Sequence, residues 1–154
     1  MIQPSILPEH TRSPAIRSFS PAGMWRFLDS ATPCRWLPKL RRHWPKNDEE
    51  HAAITATLVD ALQYSTMDAE LLAMLADGHR LVVTLEDGQL EGGWGEKVTA
   101  FYANSSNANA SRVRVLNFGA AKEFTDRVPL GELNERYGLT SETIVSRIRG
   151  ILSE

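Results

Sequence analysis

Few side chains in this 154-residue chain have the types and spacing that catalysis or metal binding requires. The four histidines stand singly, at His10, His43, His51 and His79, and the single cysteine is Cys34. A zinc site needs three or four His, Cys or acidic ligands at close spacing, so the sequence predicts no metal site. A single arginine beside Cys34 is a weak reason to expect an activated thiol.

The glycines at 92–95 are the second candidate for chemistry, because a glycine loop that opens a helix can bind phosphate. Here the pattern predicts another strand after the glycines, so we expect no helix N-terminus for an anion. Nearby acidic residues fit an ordinary hairpin, with Asp87 in its turn and Glu86 and Glu91 on solvent faces. With no G-x-x-x-x-G-K loop or dinucleotide motif, the sequence predicts no cofactor and no enzyme.

Charge and proline divide the chain near Lys46. Seven of the eight prolines precede that point, where eight Lys and Arg face two acidic residues, a balance of +6. The remainder carries nine basic and seventeen acidic residues, a balance of -8. Because closely spaced prolines prevent long helices and central strands, we expect a basic arm over 1–46 and a folded body over 47–154.

The arm combines aromatic and basic side chains that could bind a partner. These candidate binding residues are Trp25, Arg35, Trp36, Lys39, Arg41, Arg42 and Trp44. Three interpretations stay open: the arm folds back on the acidic body, it stacks on bases and contacts phosphates, or it docks on a protein. Its first 23 residues also resemble transit segments and the leaders of secreted bacterial effectors, but they contain no continuous apolar region.

The body begins with two predicted helices, over 47–63 and over 65–78. The first has Ile54, Leu58 and Leu62 at four-residue spacing, and the second can be capped at Ser65 and ends at Gly78. Period-two alternation then starts at residue 81. Five short strands are predicted, at 81–86, 89–94, 98–103, 112–116 and 122–128. The first two are joined by an Asp87-Gly88 hairpin turn.

Such short, bent strands favour closure into a small antiparallel barrel, because closure removes the sheet edges. The chain ends in a helix that Thr140 or Ser141 caps, with Ile144 and Ile148 on its apolar face. We expect this helix to cap the barrel. The overall prediction is an α+β domain with two N-terminal helices, a five-stranded barrel and a C-terminal helix.

Two segments resemble known families. The layout of "MDAELLAMLADGHRLVVTLEDGQLEG", with Leu85, Asp87, Gly88, Leu90 and Gly92, resembles Sm-like small barrels and, among them, the Rof-type inhibitors of the terminator Rho. This resemblance implies a binder of RNA or of an RNA-handling protein. The C-terminal "LNERYGLTSETIVSRI" is similar to a helix-turn-helix, in which Arg147 would approach DNA.

These features together predict a non-enzymatic regulatory or interaction protein. Its expected partner is RNA, DNA or a nucleic-acid-handling protein, with no membrane partner because no apolar run approaches the roughly 18 residues of a spanning helix. We expect a cytoplasmic location. The alternative is a bacterial effector or inhibitor that acts by protein binding alone, with its arm as secretion leader or docking segment.

Overall fold

The computed structural model of the chain describes residues 65–154 and the short stretches 16–17, 28–29, 56–57 and 59–61. This part contains five strands and four α-helices. In chain order they are β1 (Ile16–Arg17), β2 (Leu28–Asp29), β3 (Asp60–Ala61), α1 (Ala69–Gly78), β4 (Leu81–Gln89), α2 (Trp94–Ala103), β5 (Arg114–Ala120), α3 (Leu130–Arg136) and α4 (Ser141–Ser153). A short 3-10 helix, Ala110–Arg112, leads into β5.

The strands form one open sheet with the order β1-β3-β2-β4-β5. Strand β1 pairs antiparallel with β3, and every other neighbouring pair is parallel. The longest pairing joins β4 and β5, from Leu81 opposite Arg114 to Gln89 opposite Ala120. Because α2 connects these two parallel strands, the centre of the domain is a strand-helix-strand unit.

The predicted hairpin at Asp87-Gly88 is absent, since β4 continues through both residues. Leu85 pairs with Phe118 and Gln89 with Ala120, so three residues of β4 lie opposite the single residue Gly119 of β5. The chain therefore accommodates Asp87 and Gly88 in a bulge of β4.

Helix α2 replaces the predicted second and third strands. The side chains of Trp94, Val98 and Tyr102 recur every four residues and are buried on one face. Val98 and Tyr102 also fit an alternating pattern with Ala100, which is why the segment resembled a strand. Only the helical period also brings Trp94 to the same face as the other two.

Apolar side chains lie on both faces of the sheet. On one face, β4 and β5 pack against α1 and α2, with Leu72, Val82, Val98, Tyr102 and Val113 in a shared buried cluster. The other face packs against α4, with Leu85, Leu116, Phe118, Ile144, Val145 and Ile148 in a second cluster. Helices therefore cover both faces, which explains why residues 81–86 of β4 are all buried or partly buried.

The predicted α+β fold with an antiparallel Sm-like barrel is wrong, because the strands form an open, mainly parallel α/β sheet. The proposed fifth strand, 122–128, is an exposed loop. Most of the first predicted helix, 47–63, lies outside the described residues, and Asp60–Ala61 within it forms β3. Local patterns favoured a barrel because parallel pairing depends on residues about thirty positions apart.

Two helix predictions are confirmed. Helix α1 ends at Gly78 as expected, although its N-cap is Asp68, whose carboxylate accepts a hydrogen bond from the backbone N–H of Leu71 at 2.9 Å. Helix α4 begins after Thr140, whose hydroxyl accepts from the N–H of Thr143 at 3.3 Å. It packs on the sheet, however, and caps no barrel.

The hydroxyl of Tyr102 connects α2 to α1. It donates a hydrogen bond to the carbonyl oxygen of Leu72 at 2.8 Å, and burial raises the pKa of Tyr102 to about 12. We expect Tyr102→Phe to lower the free energy of unfolding by about 1 kcal/mol, because the ring stays packed while the buried bond is lost. Urea unfolding measures this change. Tyr137→Phe, which removes a hydrogen bond at the protein surface, is the control, and equal midpoints for the two variants would contradict the prediction.

Candidate functional site

The carboxyl ends of β4 and β5 form the edge where open α/β sheets bind their ligands. At this edge the glycines of residues 92–95 lead directly into α2. The prediction that these glycines precede a strand, and so present no helix N-terminus, is wrong. The segment has the order strand, glycine loop, helix, which in other proteins holds a phosphate.

In this chain the side chain of Glu86 occupies that position. Its Oε2 accepts a hydrogen bond from the backbone N–H of Trp94 at 2.7 Å, and its Oε1 accepts from that of Gly95 at 2.8 Å. Glu86 is only 8% exposed, so the prediction that it lies on a solvent face is wrong. Its negative charge interacts favourably with the dipole of α2 and satisfies two amides that the helix leaves unpaired.

The glycines allow this close approach. A Cβ added to Gly95 would lie 2.5 Å from Oε1 of Glu86 and 2.6 Å from Oγ1 of Thr84. One added to Gly93 would lie 2.7 Å from the carbonyl oxygen of Gln89. Real Cβ atoms do not come this near to other heavy atoms, so both positions require glycine while Glu86 keeps its place.

A chain of hydrogen bonds joins the same corner to β5. The buried hydroxyl of Thr84 donates to Oδ1 of Asn117 at 2.7 Å, and Nδ2 of Asn117 donates to Oγ1 of Thr99 at 2.8 Å. Thr99 in turn donates to the carbonyl oxygen of Gly95 at 2.9 Å. Both hydroxyls donate to amide or peptide oxygens, which are not bases. Neither threonine is therefore activated as a nucleophile.

The loop after β5, residues 121–129, is attached on two sides. Lys122 forms an ion pair with Glu91 at 2.5 Å, while Glu123 accepts a hydrogen bond from the hydroxyl of Tyr137 at 2.5 Å and pairs with Arg136 at 3.4 Å. Between these contacts and α3 the side chain of Phe124 is fully exposed. No signal in the sequence distinguished this loop from a short strand.

The bond from Tyr137 lowers the pKa of Glu123 below its ordinary value, with a further contribution from Arg136. The same bond raises the pKa of Tyr137. We therefore expect Tyr137→Phe to raise the pKa of Glu123 toward that of a free carboxyl group. Carbon-detected NMR titration measures this, with Glu96 as the control carboxylate. An unchanged Glu123 titration would show that the hydrogen bond is not the main cause.

The signs of these shifts define two pH windows. A lowered carboxyl pKa stabilises the attached loop at pH values above the unfolded pKa, and this contribution is lost as pH falls through the folded value. The raised pKa of Tyr137 stabilises the attached loop at pH values below the unfolded pKa of tyrosine, near 10. This contribution is lost as pH rises through the folded pKa of Tyr137. The attachment of the loop should thus be complete across the neutral range.

Most predicted binding residues lie outside the described residues. These are Trp25, Arg35, Trp36, Lys39, Arg41, Arg42 and Trp44, so their contact with a partner stays a prediction. Arg147 is described, and its guanidinium carbon lies 4.9 Å from the ring centre of Phe118. Arg147 therefore makes a cation-π contact with Phe118 of its own domain.

The C-terminal resemblance to a helix-turn-helix extends only to local geometry. Gly138, with a φ of +68°, separates α3 from α4, as the sequence suggested. Ile144 and Ile148 of α4 are buried against β4 and β5, however, so the helix serves the second core cluster.

The described part of the chain lacks two further features, a metal site and a membrane-spanning helix. Residues 65–154 and the short earlier stretches contain no group of three His, Cys, Asp or Glu side chains that could hold a metal ion. Within the same residues, no helix is long and apolar enough to cross a membrane.

Known proteins that are similar to this chain include enzymes named 1-deoxy-D-xylulose-5-phosphate synthase and a chain of a transketolase. Residues 46–144 match the family described as "Transketolase, C-terminal domain". A 1-deoxy-D-xylulose-5-phosphate synthase of Carboxydothermus hydrogenoformans is 30% identical over 105 residues, which are 68% of this chain and 16% of that protein. One from Streptomyces griseus is 35% identical over 101 residues, 66% of this chain and 15% of that protein.

A solved structure supports the same relationship. The chain described as "Split gene transketolase, inactive beta4 tetramer" is 30% identical, with a TM-score of 0.52, over 65% of this chain and 31% of that one. The present chain thus spans about a sixth of the length of the two synthases and about a third of the transketolase chain.

These matches correct the functional prediction. The Sm-like and Rof-type resemblance is wrong, because its quoted residues belong to a parallel strand, a bulge and a glycine loop. The expectation of a non-enzymatic regulator with a nucleic-acid partner, and its alternative of an effector or inhibitor, are wrong as well, since the relatives are metabolic enzymes. The chain belongs to the transketolase C-terminal domain family.

Proposed function

We propose that this chain serves as the C-terminal domain of an enzyme of the 1-deoxy-D-xylulose-5-phosphate synthase class. In this role it supports the assembly of the enzyme and supplies no reacting group. The proposal includes a cytoplasmic location and an oligomeric enzyme, as in the tetramer named for the structural neighbour. The division into an arm over 1–46 and a body over 47–154 remains part of it, and the family match at 46–144 is consistent with that boundary.

The observation that carries this proposal is that the polar groups at the carboxyl ends of β4 and β5 are hydrogen-bonded to other groups of this domain. The carboxylate of Glu86 already uses the free amides at the start of α2. Thr84, Thr99 and Asn117 bond to one another beside it. An edge whose polar groups are mutually satisfied supports a rigid scaffold better than a substrate pocket.

Replacement of a domain in a relative tests the proposal. In the Carboxydothermus hydrogenoformans synthase, the full 154-residue chain would replace the 105-residue stretch that matches it. We expect this chimera to form 1-deoxy-D-xylulose 5-phosphate, whereas the synthase without either domain should not. Circular dichroism establishes that the chimera is folded. A folded chimera with no more activity than the truncated synthase would contradict the proposed function.

A further inference from the structure

We propose that residues 121–130 form a docking surface for the domain that precedes the C-terminal domain in such a synthase, with Phe124 as the anchor. The inference rests on the proposed function, because it takes the occupant from that class of enzyme. It adds a specific contact point, which neither the family match nor the names of the relatives provide.

The first support is the exposure of apolar side chains. In the part of the chain that the structure describes, Phe124 and Leu130 are the two large hydrophobic residues that are exposed, and they lie at the two ends of one short segment. Phe124 is fully accessible, and Leu130 is 52% exposed. An exposed aromatic side chain such as Phe124, with a second apolar side chain nearby, is typical of an interface anchor, which fills a pocket on the partner.

The second support is the set of side-chain contacts that restrain the loop on which Phe124 lies. The two residues before it are attached in different directions, Lys122 to Glu91 after β4, and Glu123 to Tyr137 after α3. A loop held in this way loses little conformational entropy when it binds. The backbone beside the ring is therefore partly ordered before docking.

Charge indicates what kind of surface Phe124 meets. Lys122 and Glu123 are already paired with residues of this domain, so they need no opposite charge from a partner. The two other charged residues of the segment, Asp126 and Arg127, are exposed and of opposite sign. The surface that receives Phe124 should accordingly be an apolar pocket whose rim carries no strong net charge. A nucleic-acid surface would not fit this arrangement, since phosphate binding needs several basic groups and the one further basic residue, Arg127, is next to Asp126.

Size favours a neighbouring domain over a free partner or a second copy. A stable complex of separate proteins buries about 800 Å² on each side. The exposed surfaces of Phe124 and Leu130 supply only a fraction of that area. A domain joined to its neighbour needs less, because the linkage itself provides a high effective concentration.

Hydrogen exchange measured by mass spectrometry tests the docking surface in the chimera described above. We expect amides of 121–130 to exchange at least about tenfold more slowly in the chimera than in the isolated full chain. Phe124→Ser should abolish this difference, since truncation of an anchor typically weakens an interface by that factor or more. Thr125→Ala, an exposed neighbour in the same loop, is the matched control and should retain the protection.

The outcomes separate the two proposals. If the unmodified chimera is folded but inactive, the proposed function fails, and an unprotected loop in it overturns the docking surface as well. An active chimera whose loop exchanges as fast as in the isolated chain, or equally in Phe124→Ser, overturns the docking surface alone. If the isolated full chain forms a dimer by sedimentation that Phe124→Ser disrupts, the occupant is a second copy, which also overturns the inference.

Discussion

Replacing Gly95 with alanine should lower the free energy of unfolding by about 3 kcal/mol. The new methyl group would meet Oε1 of Glu86 at 2.5 Å, Oγ1 of Thr84 at 2.6 Å and Cγ of Asn117 at 2.9 Å. These groups are hydrogen-bonded to one another or to the start of α2, so none can move without breaking a bond. Chemical denaturation followed by circular dichroism measures the loss.

Gly150→Ala provides the control for this experiment. A Cβ at Gly150 has no heavy atom within 4 Å, and the residue lies within helix α4. Alanine is a better helix former than glycine by about 1 kcal/mol, so this variant should be slightly more stable than the parent. If both alanine variants shift the midpoint in the same direction, the close packing at Gly95 does not carry the stability assigned to it.

Loss of the Glu86 carboxylate should have the next largest effect. Glu86→Gln keeps the shape of the side chain but turns an NH₂ group toward one of two amide donors, so we expect a loss of about 2 kcal/mol. Glu86→Ala removes both acceptors and should cost about 3 kcal/mol. Amide exchange at Trp94 and Gly95 should become faster in both variants, because those N–H groups lose their partner.

Two comparisons make this second prediction specific. Glu132→Gln removes an exposed carboxylate that pairs with Arg136 at 3.8 Å, and it should change stability by no more than about 0.5 kcal/mol. Phosphate should raise the melting temperature of Glu86→Ala by more than that of the parent at equal ionic strength, since an anion can then reach the helix. Equal stability of the Glu86→Gln variant and the parent would refute the capping role.

Elements with their own local signals could be predicted from the sequence. Thr140 and the spacing of Ile144 and Ile148 were sufficient to identify α4, and Gly78 marked the end of α1. The alternation from Leu81 correctly indicated a strand. Each of these signals lies within a few residues of the feature it predicts, so no knowledge of distant contacts was needed.

The sheet and the candidate site depended on contacts that the local sequence does not contain. Asp87-Gly88 fits a hairpin turn and a bulge equally well, and the choice is made by pairing between β4 and β5. Once the hairpin was assumed, Glu86 had to face solvent and the glycines had to precede a strand. The signal that could have corrected both is the four-residue spacing of Trp94, Val98 and Tyr102, which begins directly after the glycines.

The bulge in β4 also restricts how this chain can change in length. The segment from Leu85 to Trp94 contains the bulge of β4 and the Glu86 carboxylate that bonds to the start of α2. It also contains Gly93, which leaves room for that carboxylate. Removing two residues from the bulge would restore regular pairing with β5 but would shift Glu86 out of reach of the helix. Variation among functional relatives should therefore consist of substitutions here, while insertions and deletions collect in the segment between α2 and β5.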